Sequence, residues 1–122
     1  MFLSNFWGSL QAERAKFFED LGFCEITRVK NRLVFMENRP DGFERYLRGL
    51  KAARTTGKSA AVVMNANPFT RGHQYLVEKA AAACDTLHLF IVSEDASLVP
   101  FEVRKKLVAE GVKHLPNVVL HD

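Results

Sequence analysis

The sequence predicts an α/β protein whose second half is one half of a doubly wound parallel sheet. Three observations carry this expectation. Past residue 60, short apolar runs alternate with helical patterns in the order strand, helix, strand, helix, strand. The runs at 60–65, 87–92 and 118–120 are short and apolar enough for buried strands, and right-handed crossovers make all three parallel. A stretch of small polar residues, Thr55-Thr56-Gly57-Lys58-Ser59, separates this pattern from a different one before it.

In chain order, Leu10, Phe17, Phe18 and Leu21 recur at helical spacing and Gly22 offers a stop, so 9–21 reads as a helix. Runs at 23–29 and 33–37, joined by Lys30-Asn31-Arg32, read as a hairpin. Asn38-Arg39-Pro40-Asp41-Gly42 is a turn, because Pro fixes φ and Gly permits positive φ. Residues 43–54 form a basic amphipathic helix with Arg45, Arg48, Lys51 and Arg54 opposite a buried stripe of Phe43, Tyr46, Leu47 and Leu50. After the linker, 72–84 is an Ala-rich helix packing through Leu76, Val77 and Ala80. A second helix, 101–110, is opened by Pro100, a favoured first-turn residue.

Composition narrows the function classes. The chain has 122 residues, 48% hydrophobic and 25% charged, which excludes collagen-like, low-complexity and wholly disordered chains. No apolar run approaches the roughly 20 residues that span a bilayer, so no membrane partner is expected. The start, 1–10, lacks the basic segment of a secretory signal, and the cytoplasm is the expected compartment. Cys24 and Cys84 have no CxxC spacing and read as free thiols. Residues 1–58 hold eleven basic and seven acidic side chains, and 59–122 hold six and seven. The resulting net charge of +3 is small for a nucleic-acid footprint, so the basic stripe at 45–54 reads as a solvated helix face and no nucleic-acid partner is expected. No metal-ligand cluster is seen. His88 reads as a partly buried strand residue, His114 and His121 have no partner spacing, and Arg104 and Lys105 read as surface charges.

Gly57-Lys58-Ser59 looks like the tail of a phosphate-binding P-loop, but Ala52 stands where that motif needs its first Gly, and a strand follows instead of a helix. The stronger signal is Met64-Asn65-Ala66-Asn67-Pro68-Phe69-Thr70-Arg71-Gly72-His73, between the first strand and its helix. Open α/β sheets bind ligands at the carboxyl ends of their strands, and a helix N-terminus offers unpaired N–H groups and partial positive charge to phosphate. Gly72 allows close approach, His73 can donate a ring N–H, and Thr70 adds a hydroxyl. Ser93, Glu94 and Asp95 follow the second strand on the same sheet edge, where they either face a ligand or cap a turn.

Thr70-x-Gly72-His73 after a strand resembles the TxGH variant of the HxGH signature of the nucleotidylyltransferase superfamily. The longer string from Val63 through Glu78, with Leu87-His88-Leu89-Phe90, Glu94-Asp95-Ala96-Ser97 and Glu37 through Leu47, resembles the citrate lyase ligases. The resemblance runs from about Phe17 to the end. It implies a Rossmann-like (HUP-type) nucleotidylyltransferase half-domain over 60–122 and a connecting helix and linker over 39–59. Residues 1–38 are then the end of an acetyltransferase-like (GNAT) module, whose acyl-CoA loop is matched nowhere in the chain. It further implies an acid–thiol ligase in which ATP, with Mg²⁺, activates acetate as acetyl-adenylate. The acetyl group then passes to the CoA-derived prosthetic group of the citrate lyase acyl carrier subunit.

On that resemblance Thr70 and His73 are catalytic, and Asn65, Asn67, Pro68, Phe69, Thr70, Gly72, His73 and Ser93 bind nucleotide. The superfamily's second phosphate signature, an ISSTxxR-like segment, is absent, and the expectation is a fragment or shortened member with half a site. The alternatives are a non-catalytic nucleotide-binding or interaction remnant, or another adenylyltransferase of the same superfamily.

Overall fold

The computed structural model describes residues 7–94, 96 and 98–122. The chain divides into two compact units, Met1–Arg54 and Thr55–Asp122.

The first unit contains β1 (Trp7–Gln11), a 3₁₀ turn (Ala12–Arg14), α1 (Ala15–Asp20), β2 (Cys24–Val29), β3 (Leu33–Glu37) and α2 (Gly42–Ala52). Its strands form an antiparallel sheet in the order β1-β3-β2. The β2–β3 hairpin turns through Asn31 at φ 59°, a left-handed conformation that a short polar side chain tolerates. The helix expected over 9–21 is corrected: its start is β1, paired with β3 from Trp7↔Glu37 to Gln11↔Leu33, and only a short α1 remains. The apolar spacing misled because it does not define one buried face. Phe17 and Leu21 are exposed, while Phe18 packs with Leu10, Ala12 and Phe23 on buried Ala15, Val34 and Met36. Pairing along β3 outweighed local helical spacing.

Glu37 is buried, and its Oε2 accepts the Phe43 N–H at 2.8 Å. That bond satisfies one of the donors a helix start leaves open, so the end of β3 anchors the start of α2. Arg45, Arg48 and Lys51 on α2 are exposed, and so is Arg54 just beyond it. Leu47 is also exposed, so the apolar stripe of α2 is narrower than expected.

The second unit contains β4 (Ser59–Met64), α3 (Arg71–Ala82), β5 (Thr86–Ile91), α4 (Phe101–Val112) and β6 (Val118–His121). Its three strands are parallel in the order β4-β5-β6, with Met64 level with Ile91 and Leu89 level with Leu120. Strand side chains alternate between faces. One face presents Met64, Leu87, Leu89 and Ile91 to Val77 and Ala81 of α3 and Val108 and Val112 of α4, all buried in one core. The other face carries Ala61, Val63, His88, Phe90, Val119 and His121. Within α3 the packing positions are Val77, Ala80 and Ala81, whereas Leu76 is exposed. Gly57-Lys58-Ser59 is the turn that enters β4. Gly57 sits at φ +94°, where a Cβ would lie 2.6 Å from Asp85 Oδ2, the oxygen that accepts the Lys58 N–H.

His121 does have a partner, contrary to its sequence spacing. Its Nε2 lies 2.9 Å from His88 Nδ1, and its ring stacks on Phe90. The two histidines meet because Phe90 is level with His121 and His88 is one step along the same face, a cross-strand register that sequence separation hides. Burial, reinforced by the charge of His88, holds the His121 pKa below the ordinary histidine range. A histidine with a depressed folded pKa binds fewer protons folded than unfolded. Its stability contribution is therefore present above the ordinary value and is lost as pH falls through the folded one. Urea unfolding at about pH 7 and about pH 5 should show a larger loss in the native chain than in His121→Gln. Equal losses in the two proteins would remove the histidine pair as the cause.

Candidate functional site

The site grows from the way β4 passes into α3. Thr70 is the N-cap of α3, with extended φ −109° and ψ 170°, and its hydroxyl accepts the His73 N–H at 3.5 Å. The His73 side chain answers in the other direction: Nδ1 accepts the Thr70 N–H at 3.1 Å and lies 2.8 Å from Thr70 Oγ1. This is a capping box with histidine in the position usually held by Glu or Gln. Because Nδ1 accepts a backbone N–H, the neutral imidazole carries its proton on Nε2. The loop chemistry thus leaves one ring donor for a ligand. The Arg71 and Gly72 N–H groups in the first turn have no carbonyl of their own helix to bond. Gly72 is exposed, and a Cβ there would meet only Thr70 Oγ1, at 3.7 Å.

The asparagines of the same loop point to structure. Asn67 Oδ1 accepts the Val99 N–H at 2.9 Å. Asn65 offers both its carbonyl and its Oδ1 to Arg104 Nη1, at 2.8 and 2.9 Å. Between them Ala66 is buried at φ 51°, and the Asn67–Pro68 bond is cis. The Phe69 ring stacks on His73 with centroids 5.8 Å apart and planes at 23°. Asn65, Asn67, Pro68, Phe69, Thr70, Gly72 and His73 thus form one continuous loop and helix start at the carboxyl end of β4. Ser93 and Glu94 follow β5 on the neighbouring strand and are exposed. Asp95 and Ser97 lie outside the described residues. Among the described residues no group of three or more His, Cys, Asp or Glu side chains could hold a metal ion.

Arg104 is the residue that sequence reasoning misplaced. It is fully buried at 0% exposure rather than a surface charge. Its guanidinium donates to the carbonyls of Val99, Asn65, Val92 and Glu94 and to Asn65 Oδ1, and it packs over the Phe101 ring. A signal was present: Arg104, Val108 and Val112 recur every four residues and are the buried positions of α4. Lys105 is part-exposed and pairs with Asp122, and His114 pairs with Glu78 at 2.8 Å.

A parallel sheet whose first strand passes through Thr70-x-Gly72-His73 into a helix N-terminus defines a Rossmann-like domain of the nucleotidylyltransferase type. Residues 59–122 match the model described as the citrate lyase ligase C-terminal domain, and the chain belongs to that family. It is 45% identical over 112 residues to the citrate (pro-3S)-lyase ligase of Escherichia coli strain K12, covering 91% of this chain and 32% of that protein. To the ligase of the same name from Klebsiella pneumoniae it is 47% identical over 108 residues, covering 88% and 32%. A phosphopantetheine adenylyltransferase of Staphylococcus haemolyticus is 34% identical over 68 residues, covering 53% of this chain and 42% of that one. The chain spans about a third of the length of the curated ligases it matches. The resemblance read from the motifs is thereby borne out at the level of family and fold.

Replacing Arg104 by Met should lower unfolding free energy by about 3 kcal/mol or more, because several buried carbonyls lose their donor. Arg104→Lys should recover only part of that, since an ammonium cannot span the same fork of acceptors. Chemical denaturation of the three proteins measures both. A methionine variant as stable as the native chain would mean that the carbonyls find other partners.

Proposed function

We propose that this chain carries the nucleotide-facing part of an acid–thiol ligase that activates citrate lyase. The observation that carries the reading is the capping box at the start of α3, which leaves the His73 Nε2–H, the Thr70 hydroxyl and the first-turn N–H groups beside one another. Family membership and the ligases named above support the choice of reaction.

In this reading ATP enters as its magnesium complex, so the metal arrives with the substrate and neutralises charge on the triphosphate. An acetate oxygen attacks the α-phosphorus, the bond to the bridging oxygen of pyrophosphate breaks, and acetyl-adenylate forms. The thiol of the prosthetic group on the lyase acyl carrier subunit then attacks the acetyl carbonyl and AMP leaves, giving the thioester. The first step needs no enzyme nucleophile. It needs the two reactants held in line and donors aimed where negative charge grows on phosphate oxygens. His73 supplies such a donor through Nε2, Thr70 holds the His73 ring through Nδ1, the Gly72 backbone binds phosphate, and Ser93 reaches the nucleotide from the end of β5. Asn65, Asn67, Pro68 and Phe69 shape the loop.

The same reading takes residues 1–38 as the closing part of a GNAT-like module and 39–59 as the connection to the nucleotide domain. The antiparallel β1-β3-β2 sheet with α1 is compatible with that role. Free Cys24 and Cys84 fit a cytoplasmic setting.

Acetate-dependent exchange of labelled pyrophosphate into ATP tests the proposal on the full chain. His73→Ala should cut exchange on the order of 10²- to 10³-fold, the range seen when a transition-state donor is removed. Its stability should stay within about 1 kcal/mol of the native chain, the scale of a lost cap. Unchanged exchange in His73→Ala would sink the assignment. Nucleotide binding with no exchange would favour a non-catalytic remnant. Exchange driven by 4′-phosphopantetheine instead of acetate would favour the adenylyltransferase alternative, to which the Staphylococcus haemolyticus relative points.

A further inference from the structure

Glycine in a helix costs about 1 kcal/mol relative to alanine, yet α4 carries Gly111 with right-handed helical backbone. Turn geometry does not account for it. Close approach does: a Cβ at Gly111 would lie 3.0 Å from Phe69 Cδ1 and 2.4 Å from Cε1, the latter a distance that side-chain carbons do not tolerate. Gly49 of α2, by contrast, would meet nothing within 4 Å. The missing side chain of Gly111 is therefore a notch in α4, and the Phe69 ring fills it. The same ring stacks on the His73 imidazole.

We propose that Gly111 and Phe69 are positioning residues for His73. The bond from the Thr70 N–H to Nδ1 holds one edge of the imidazole but leaves its plane free to tilt about that bond. Phe69, seated in the notch, holds the ring face. Edge and face together fix the direction of the Nε2–H, and α4 thereby sets the aim of a donor in the first turn of α3. The significance for catalysis rests on the reading of His73 as the phosphate donor. The positioning itself does not.

A purely packing role for Phe69 predicts something different. Phe69 also borders the core of Met64, Ala66, Val77 and Val108, and leucine would fill that space without an aromatic face. The test uses the 122-residue chain with ¹⁵N-labelled histidine. Long-range NMR correlations read the tautomer of the His73 ring in the native chain, Phe69→Leu, Gly111→Ala and the double variant. The native ring should show a single tautomer protonated at Nε2. Both single variants should shift its nitrogen signals toward a tautomer mixture while most backbone amide signals stay in place. Gly111→Ala acts only through Phe69, so the double variant should be no more shifted than Phe69→Leu alone, a non-additivity that marks direct coupling.

In the exchange reaction the same variants should lose kcat on the order of 10²-fold, the cost of misplacing a catalytic group, with a much smaller change in KM for ATP. Native His73 signals in both single variants would overturn the proposal. If Gly111→Ala does not fold, Phe69→Leu, which adds no atom to the notch, decides alone. If the native chain shows no exchange, the functional reading fails, and the tautomer measurement still decides the positioning.

Discussion

A buried guanidinium holds the second unit together where its sheet ends. Parallel strands finish with carbonyl groups that have run out of ladder partners, and the loops that leave them add more. Here those carbonyls belong to Asn65 beyond β4, to Val92 and Glu94 beyond β5, and to Val99 before α4, and Arg104 donates to all of them. Only arginine carries enough donors in a rigid fork to do this from one position. The carbonyl dipoles in turn replace the water its charge has lost. Both loops on the carboxyl edge are thus referred to the same helix, and the candidate site inherits its shape from that reference.

The division of labour within the β4–α3 loop follows. Polar side chains that look free in the sequence are engaged by the scaffold: Asn65 accepts from Arg104 and Asn67 accepts the Val99 N–H. Ala66 keeps a left-handed backbone at φ 51° while its methyl is buried in the core. A left-handed alanine carries backbone strain, and tertiary packing offsets it. Beside these anchored side chains, Thr70 and Gly72 at the helix start are exposed. Thr70 and His73 are held by the capping box itself, so the candidate site has a fixed shape that rests on the scaffold.

The order of strands and helices in the second unit was legible because each short apolar run and each helical stripe is local. The loop was legible for a similar reason, as Pro68, Gly72 and the Thr70–His73 pair lie within a few residues of one another. What stayed hidden depends on distant partners. β1 exists because β3 offers it an edge, and no pattern within 7–11 says so. Arg104 was read by residue type, as a surface charge, when its place on the Val108–Val112 stripe gave the better guide. The histidine pair depends on the register between β5 and β6. Leu76 faces outward because α3 packs through Ala81 next to Val77, a rotation of the helix that an Ala-rich stretch leaves undetermined.

The order β4-β5-β6 leaves β4 at one border of the sheet, where its outer N–H and C=O groups pair with no strand among the described residues. The segment itself, Ser59-Ala60-Ala61-Val62-Val63-Met64, has no charge and no proline, and Val63 is 68% exposed. Uncharged, β-branched strand borders are templates for other chains. Among the described residues, the strand that leads into the candidate site therefore also carries open pairing groups along its border.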